Sequence, residues 1–194
     1  MFVMAQIDSD YASRIGISQV LVPEDIRSVA FNCAVLDNAR MGRSEDHNPM
    51  MDFGGDVCAR SYLGVSYLEE GDAAIADSNV IKNVTFAMPP CYIDDGTSYT
   101  YGDQAKELAA HLEELGVEHE LHIFEGEPHS FDTTDSEAAR ESLDLQIAFM
   151  DHFTGRRFIR GVADGGTRRM KVADRQAPSQ CGRRLRILSV RLGG

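Results

Sequence analysis

Between Met88 and Phe131 the sequence MPPCYIDDGTSYTYGDQAKELAAHLEELGVEHELHIFEGEPHSF changes its apolar period twice, and this constrains the fold more than any other stretch. Pro90-Cys91-Tyr92-Ile93 is a short apolar run, and Asp94-Asp95-Gly96 behind it is a turn signal, so a buried strand is expected to stop there. From Tyr101 onward Ala105, Leu108, Ala109, Leu112 and Leu115 recur at helical spacing, and Gly116 stands where a left-handed C-cap belongs. Leu121, Ile123 and Phe124 then form a second run of β character, which Gly126-Glu127-Pro128 is expected to break just before His129. Strand, helix and strand within about 35 residues make a βαβ unit, so the two strands should be parallel neighbours in one sheet. His129 then hangs from a strand end.

Composition sets the frame around this unit. At 194 residues, with 43% hydrophobic and 26% charged residues, the chain has the makings of one sizeable globular domain. It holds no apolar run of about eighteen residues, and its first seven residues lack the basic start of a secretory leader, so a cytoplasmic protein is expected. Cys33, Cys58, Cys91 and Cys181 have no paired spacing, which predicts reduced, mostly buried thiols rather than a zinc site or a disulfide framework. Charge is unevenly spread. Residues 1–155 carry 8 Lys and Arg against 29 Asp and Glu, and residues 156–194 carry 11 against 2, so a body of −21 precedes a segment of +9. An acidic body argues against nucleic-acid binding by the domain.

The remaining segments fall into place around the βαβ unit. Met1–Ile7 reads as the end of a helix, and a short helical piece from Tyr11 to Ile15 closes at Gly16. Val29 to Leu36 is a nearly continuous apolar run, as expected of a parallel strand buried on both faces. Residues 38–82 lose regular period, apart from two short helices expected over Val57–Tyr67 and Asp72–Val80. After His129, Thr134-Asp135-Ser136-Glu137 has the form of a capping box, and Ala139, Leu143, Ile147 and Met150 make the stripe of a terminal helix that packs on the sheet. The basic segment 156–194 shows no sustained period and is expected to be a disordered, solvated arm drawn to its own acidic body.

The stretch from Pro89 to Phe131, with His129-Ser130-Phe131 as an H-x-F ending, resembles the C-terminal end of an α/β-hydrolase of the esterase and lipase group, the acetyl-esterase and hormone-sensitive-lipase-like proteins. The resemblance extends weakly from about Tyr11 to about Phe153. It implies a three-layer α/β domain over residues 1–155 with a mostly parallel sheet, and it makes residues 38–82 a cap-like insertion that shapes an acyl pocket. It also implies hydrolysis of small-molecule esters of short acyl groups by Ser-His-Asp chemistry, with no cofactor and no metal. In such chemistry a histidine takes the proton of a serine and returns it to the leaving alcohol, while a carboxylate holds the imidazole in the right tautomer.

By the resemblance His129 is the base. The acid is less direct, because in the pattern G-x-x-D-x-L the aspartate falls at Tyr99, and a phenol cannot orient an imidazole as a carboxylate does. Asp94, Asp95 and Asp103 are the substitutes; Asp95 is preferred for its place at the strand end, whereas Asp103 begins the helix and favours its dipole. No G-x-S-x-G is found: Gly64-Val65-Ser66 and Gly96-Thr97-Ser98 lack the second glycine and the following helix, and no H-G-G-G occurs. The chain is therefore expected to begin just after the nucleophile elbow, without the N-terminal strands. Two functions follow as expectations: an ester-hydrolase lineage whose site is incomplete here, or a non-catalytic binding or interaction module that associates through an exposed sheet edge. His47, His111, His119, His122 and His152 have no ligand spacing.

Overall fold

The computed structural model describes residues 1–41, 49–65, 72–159 and 171–174. At its centre lies a parallel sheet of order β1 (Val29–Asn32), β2 (Cys91–Ser98) and β3 (His119–Pro128). Helix α6 (Gly102–Glu114) connects β2 to β3, so the expected βαβ unit is present. Before the sheet come α1 (Phe2–Ile7) and α2 (Ser9–Ile15); between β1 and β2 come α3 (Pro49–Leu63), α4 (Ala73–Ser78) and α5 (Val80–Asn83). Helix α7 (Glu137–Thr154) follows β3. Among the described residues no helix is long and apolar enough to cross a membrane.

Strand alternation divides the core into two layers. Cys91 and Ile93 of β2 pack with Leu121 and Ile123 of β3 against Leu108, Ala109 and Leu112 of α6 and against Met4, Ala5 and Ala12 of the first two helices. Tyr92 faces the other way, with its ring against Phe149 of α7 and stacked on His122 of β3 at 5.3 Å. Helices thus cover both faces, as expected of a three-layer α/β domain. Helix α6 ends as its sequence dictates. Gly116 is left-handed at φ 69, its amide reaches the Glu113 carbonyl, and the Val117 amide reaches the Leu112 carbonyl at 2.9 Å, which closes a Schellman motif.

Several boundaries differ from expectation for identifiable reasons. Strand β2 does not stop at Asp94; both aspartates are buried in it and the ladder runs to Ser98. Gly126-Glu127-Pro128 does not end β3 but makes an irregularity inside it, where Gly126 adopts φ 78 and its amide donates to Thr97 Oγ1 at 2.7 Å. Strand β1 ends at Asn32 because Cys33 takes a left-handed φ of 44, and its residues are half-buried because no strand lies beyond its outer edge among the described residues. In the 38–82 interval α3 starts and ends before the helix expected over Val57–Tyr67, α4 falls within that expected over Asp72–Val80 with Asp72 as its N-cap, and residues 42–48 and 66–71 lie outside the described residues.

The cap of α7 is Ser136, whose Oγ accepts from the Ala139 amide, rather than Thr134, whose hydroxyl bonds back to the Phe131 carbonyl. In the basic segment, β4 (Arg156–Ile159) and β5 (Lys171–Asp174) pair as an antiparallel ribbon where no regular structure was expected; the rest of that segment lies outside the described residues.

The seam between β2 and β3 is tightest at Gly96. A Cβ there would stand 2.0 Å from the Glu127 carbonyl oxygen, a main-chain atom fixed by the irregularity in β3. Replacement Gly96→Ala should therefore cost about 1–3 kcal/mol, as overpacking of a rigid site does. Urea unfolding followed by circular dichroism measures it, and a midpoint equal to that of the unmodified protein would show that the seam can open without penalty.

Candidate functional site

The carboxyl ends of the parallel strands gather Cys33, Asp94, Asp95, His129 and Asp132, the place where an open α/β sheet offers a ligand crevice. Each reaches it by a local device. The left-handed Cys33 ends β1, and the left-handed Ser130, at φ 62, turns the chain out of β3 immediately after His129. The 3₁₀ turn Phe131–Thr133 then buries Phe131 against Phe124 and anchors the histidine loop.

Asp95 has no exposed surface. Its Oδ1 accepts from the Gly96 amide at 2.8 Å and its Oδ2 from the Tyr101 amide at 3.2 Å, so the carboxylate closes the 96–101 loop on itself. The loop is braced again by Thr100, whose hydroxyl donates to the Gly96 carbonyl and accepts from the Gly102 amide. Burial raises the Asp95 pKa to about 6, against the pull of these donors. A hydrogen bond from the Cys33 side chain adds to that pull, and burial and the neighbouring carboxylate hold the Cys33 thiol up at about 12, the range of an unreactive thiol.

Asp94 points to the opposite face. Its Oδ2 accepts from Ser142 Oγ of α7 and from Asn32 Nδ2 of β1, and its Oδ1 is buried with no partner among the described residues. Desolvation raises its pKa as well. Asp103, the third carboxylate considered, lies in the first turn of α6, where it pairs with Arg40 at 3.5 Å.

His129 is half-buried, and desolvation lowers its pKa, opposed by the charge of Asp132. Its Nδ1 is buried and has no hydrogen-bond partner among the described residues, so none of the described carboxylates accepts from that nitrogen. What touches the ring is Tyr101, edge to face at 5.3 Å between centroids and 90° between planes. The structure thus brings Asp95 and His129 to one strand-end cluster, linked through Tyr101 rather than by a direct bond to Nδ1.

Sequence reasoning passed over Tyr101 and Cys33. Tyr101 announces only a helix start, and nothing local marks Cys33, since both owe their roles to contacts between separate strand ends. Tyr99 follows the last residue of β2; its backbone is left-handed at φ 54 and its side chain is half-exposed. Among the described residues no group of three His, Cys, Asp or Glu side chains is disposed to hold a metal ion. His122 instead pairs with Glu120 at 3.2 Å, and His119 Nδ1 contacts the Val117 carbonyl.

No family model and no curated protein sequence matches this chain. Solved structures do. Esterase B from Lactobacillus rhamnosis is 19% identical, with a TM-score of 0.56 over 79% of this chain and 48% of that chain. The same enzyme inhibited by a C6-C4 SN3 compound gives 20% identity and a TM-score of 0.53 over the same shares. A thermophilic esterase from Thermogutta terrifontis is similar over 65% of this chain and 42% of that chain, at 21% identity and a TM-score of 0.46. The two esterase B structures carry the fold assignment: this chain has part of an α/β-hydrolase fold, and it spans about half the length of the chains it resembles.

The buried Asp95 makes a prediction about pH. The folded protein holds its proton up to about pH 6, whereas an unfolded aspartate releases it near ~3.9, so between those values the folded state binds more protons. This contribution to stability is therefore present at low pH, declines as pH rises from about 4 to about 6, and is level above. Asp95→Asn should flatten the profile in that window; chemical unfolding from pH 3.5 to 7 tests it, and an unchanged slope between pH 4 and 6 would refute it.

Proposed function

We propose that this chain carries the histidine part of a carboxylic-ester hydrolase site of the short-acyl-ester type, and that these 194 residues on their own do not turn over an ester. The observation that carries this reading is the state of His129: a strand-end imidazole, kept neutral by burial, next to the buried carboxylate cluster of a partial α/β-hydrolase fold. A neutral imidazole is the form that a general base requires. In this reading His129 is the base that takes the proton of a serine and returns it to the leaving alcohol, and Asp95 is the carboxylate of the pair, acting on the imidazole through the 96–101 loop.

The sequence holds neither a G-x-S-x-G turn to present a serine nor an H-G-G-G segment of the kind that contributes to an oxyanion hole. The name of the similar esterase B supports an ester as the substrate class. With p-nitrophenyl acetate, the purified chain should give no turnover above that of its His129→Ala variant. Turnover that His129→Ala abolishes would overturn the claim of inactivity.

A second reading is favoured by one observation, the outer edge of β1. Val29-Ala30-Phe31-Asn32 carries no charge and no proline, and no strand pairs with its outer side among the described residues. Such an edge is a template for strand addition, which suits a non-catalytic interaction module that self-associates. On this reading, size-exclusion chromatography with light scattering should show dimers or larger species that grow with concentration. A compact monomer across the accessible concentration range would reject it.

A further inference from the structure

We infer that Tyr101 is a positioning residue for His129, transmitting to the imidazole the geometry that Asp95 imposes on the 96–101 loop. The inference rests on the reading of His129 as a base and goes beyond it, because the histidine is then held by an aromatic wall rather than by a carboxylate on Nδ1.

Four observations combine. Tyr101 is 4% exposed, so its ring has a fixed place in the protein. Its backbone amide is held by Asp95 Oδ2 at 3.2 Å, and the next residue, Gly102, is held through Thr100, so the Cα of Tyr101 cannot drift relative to β2. Its ring meets the His129 ring at 5.3 Å and 90°, the edge-to-face geometry that aromatic quadrupoles prefer. Finally, Nδ1 of His129 has no hydrogen-bond partner among the described residues, which leaves the ring contact as the orienting interaction on this side.

The backbone permits no simple alternative placement of the loop. Gly102 lies so close to the strand that a Cβ there would come 2.8 Å from the Gly96 carbonyl oxygen, so the chain that carries Tyr101 is pressed onto the end of β2. The ring is thereby cantilevered from a rigid base, and His129, on the turn after β3, is set against it. Asp95 and His129 are coupled without touching: the carboxylate fixes an amide, the amide fixes a ring, and the ring fixes the imidazole.

The test is a histidine NMR titration of the full chain, with the His129 signal assigned by its loss in His129→Gln. In the unmodified protein, cross-relaxation should connect the Tyr101 ring protons to the His129 ring protons. Tyr101→Leu, which keeps apolar bulk but removes the ring, should move the His129 ring shifts and raise its pKa by about half a pH unit or more toward the ordinary ~6.5, as water reaches the imidazole. Tyr101→Phe should retain both the contact and the lowered pKa, and Asp95→Asn should move His129 in the same direction as Tyr101→Leu by less.

A Tyr101→Leu protein that is folded but titrates at His129 like the unmodified chain would overturn the inference and reduce Tyr101 to packing. So would Tyr101→Phe behaving like Tyr101→Leu. Should Tyr101→Leu fail to fold, absence of the Tyr101–His129 cross-relaxation in the unmodified chain is by itself sufficient to overturn it. None of these outcomes depends on ester turnover, so the failure of this inference is distinguishable from failure of the hydrolase reading.

Discussion

Strand β2 carries two adjacent carboxyl groups into the interior, Asp94 at 1% and Asp95 at 0% exposure, and the layers of the domain meet at that pair. A buried carboxylate costs several kcal/mol unless donors replace its water. Among the described residues no hydrogen bond or ion pair brings either group a cation; the donors are the Gly96 and Tyr101 amides and the Cys33 thiol for one, and the Ser142 hydroxyl and Asn32 side-chain amide for the other. Because successive side chains of a strand point to opposite faces, this single dipeptide reaches both ways. Asp94 ties α7 and β1 to the central strand, and Asp95 ties the loop that leads into α6. The same desolvation that makes the pair costly favours its protonated form, which accounts for the raised pKa of each.

That pair also marks where the sequence was legible and where it was not. Helix α6 could be read because each of its signals is local: apolar spacing, an acidic first turn, a glycine that accepts φ 69. The parallel partners on either side of it followed from the length of the crossover. Asp94-Asp95-Gly96 was misread as a turn because turn statistics describe aspartates that face water, and the partners that make burial tolerable are remote, with Ser142 standing 48 residues from Asp94. Gly126-Glu127-Pro128 misled in the same way, since the Thr97 hydroxyl that receives the Gly126 amide is 29 residues away. For the site, the sequence set His129 just past the second strand of the βαβ unit, where β3 does end, although Gly126-Glu127-Pro128 lies within that strand, whereas the contact of His129 with Tyr101 exists only after β2 and β3 have paired.

The two edges of the sheet are not equivalent. Strand β3 spans ten residues and ends in the histidine turn, while β1 has four residues, half-buried and uncharged. Natural edges are usually blunted by charge, proline or a bulge, and β1 has none of these. The similar solved chains are about twice as long as the part matched here, so in those proteins about half of the chain lies outside the shared fold.

Burial disfavours the imidazolium form of His129 and so favours the neutral ring. Neutrality does not choose a tautomer; a hydrogen bond to a ring nitrogen does, and Nδ1 is buried without one among the described residues. An unsatisfied buried nitrogen costs about 1–3 kcal/mol, a strain that an acceptor at the neighbouring position would relieve. Tyr99, which follows the last residue of β2, has a left-handed backbone and a half-exposed side chain. The protonation preference of His129 is therefore set by the packing of the strand ends, while its tautomer depends on an acceptor at Nδ1 that the described residues do not supply.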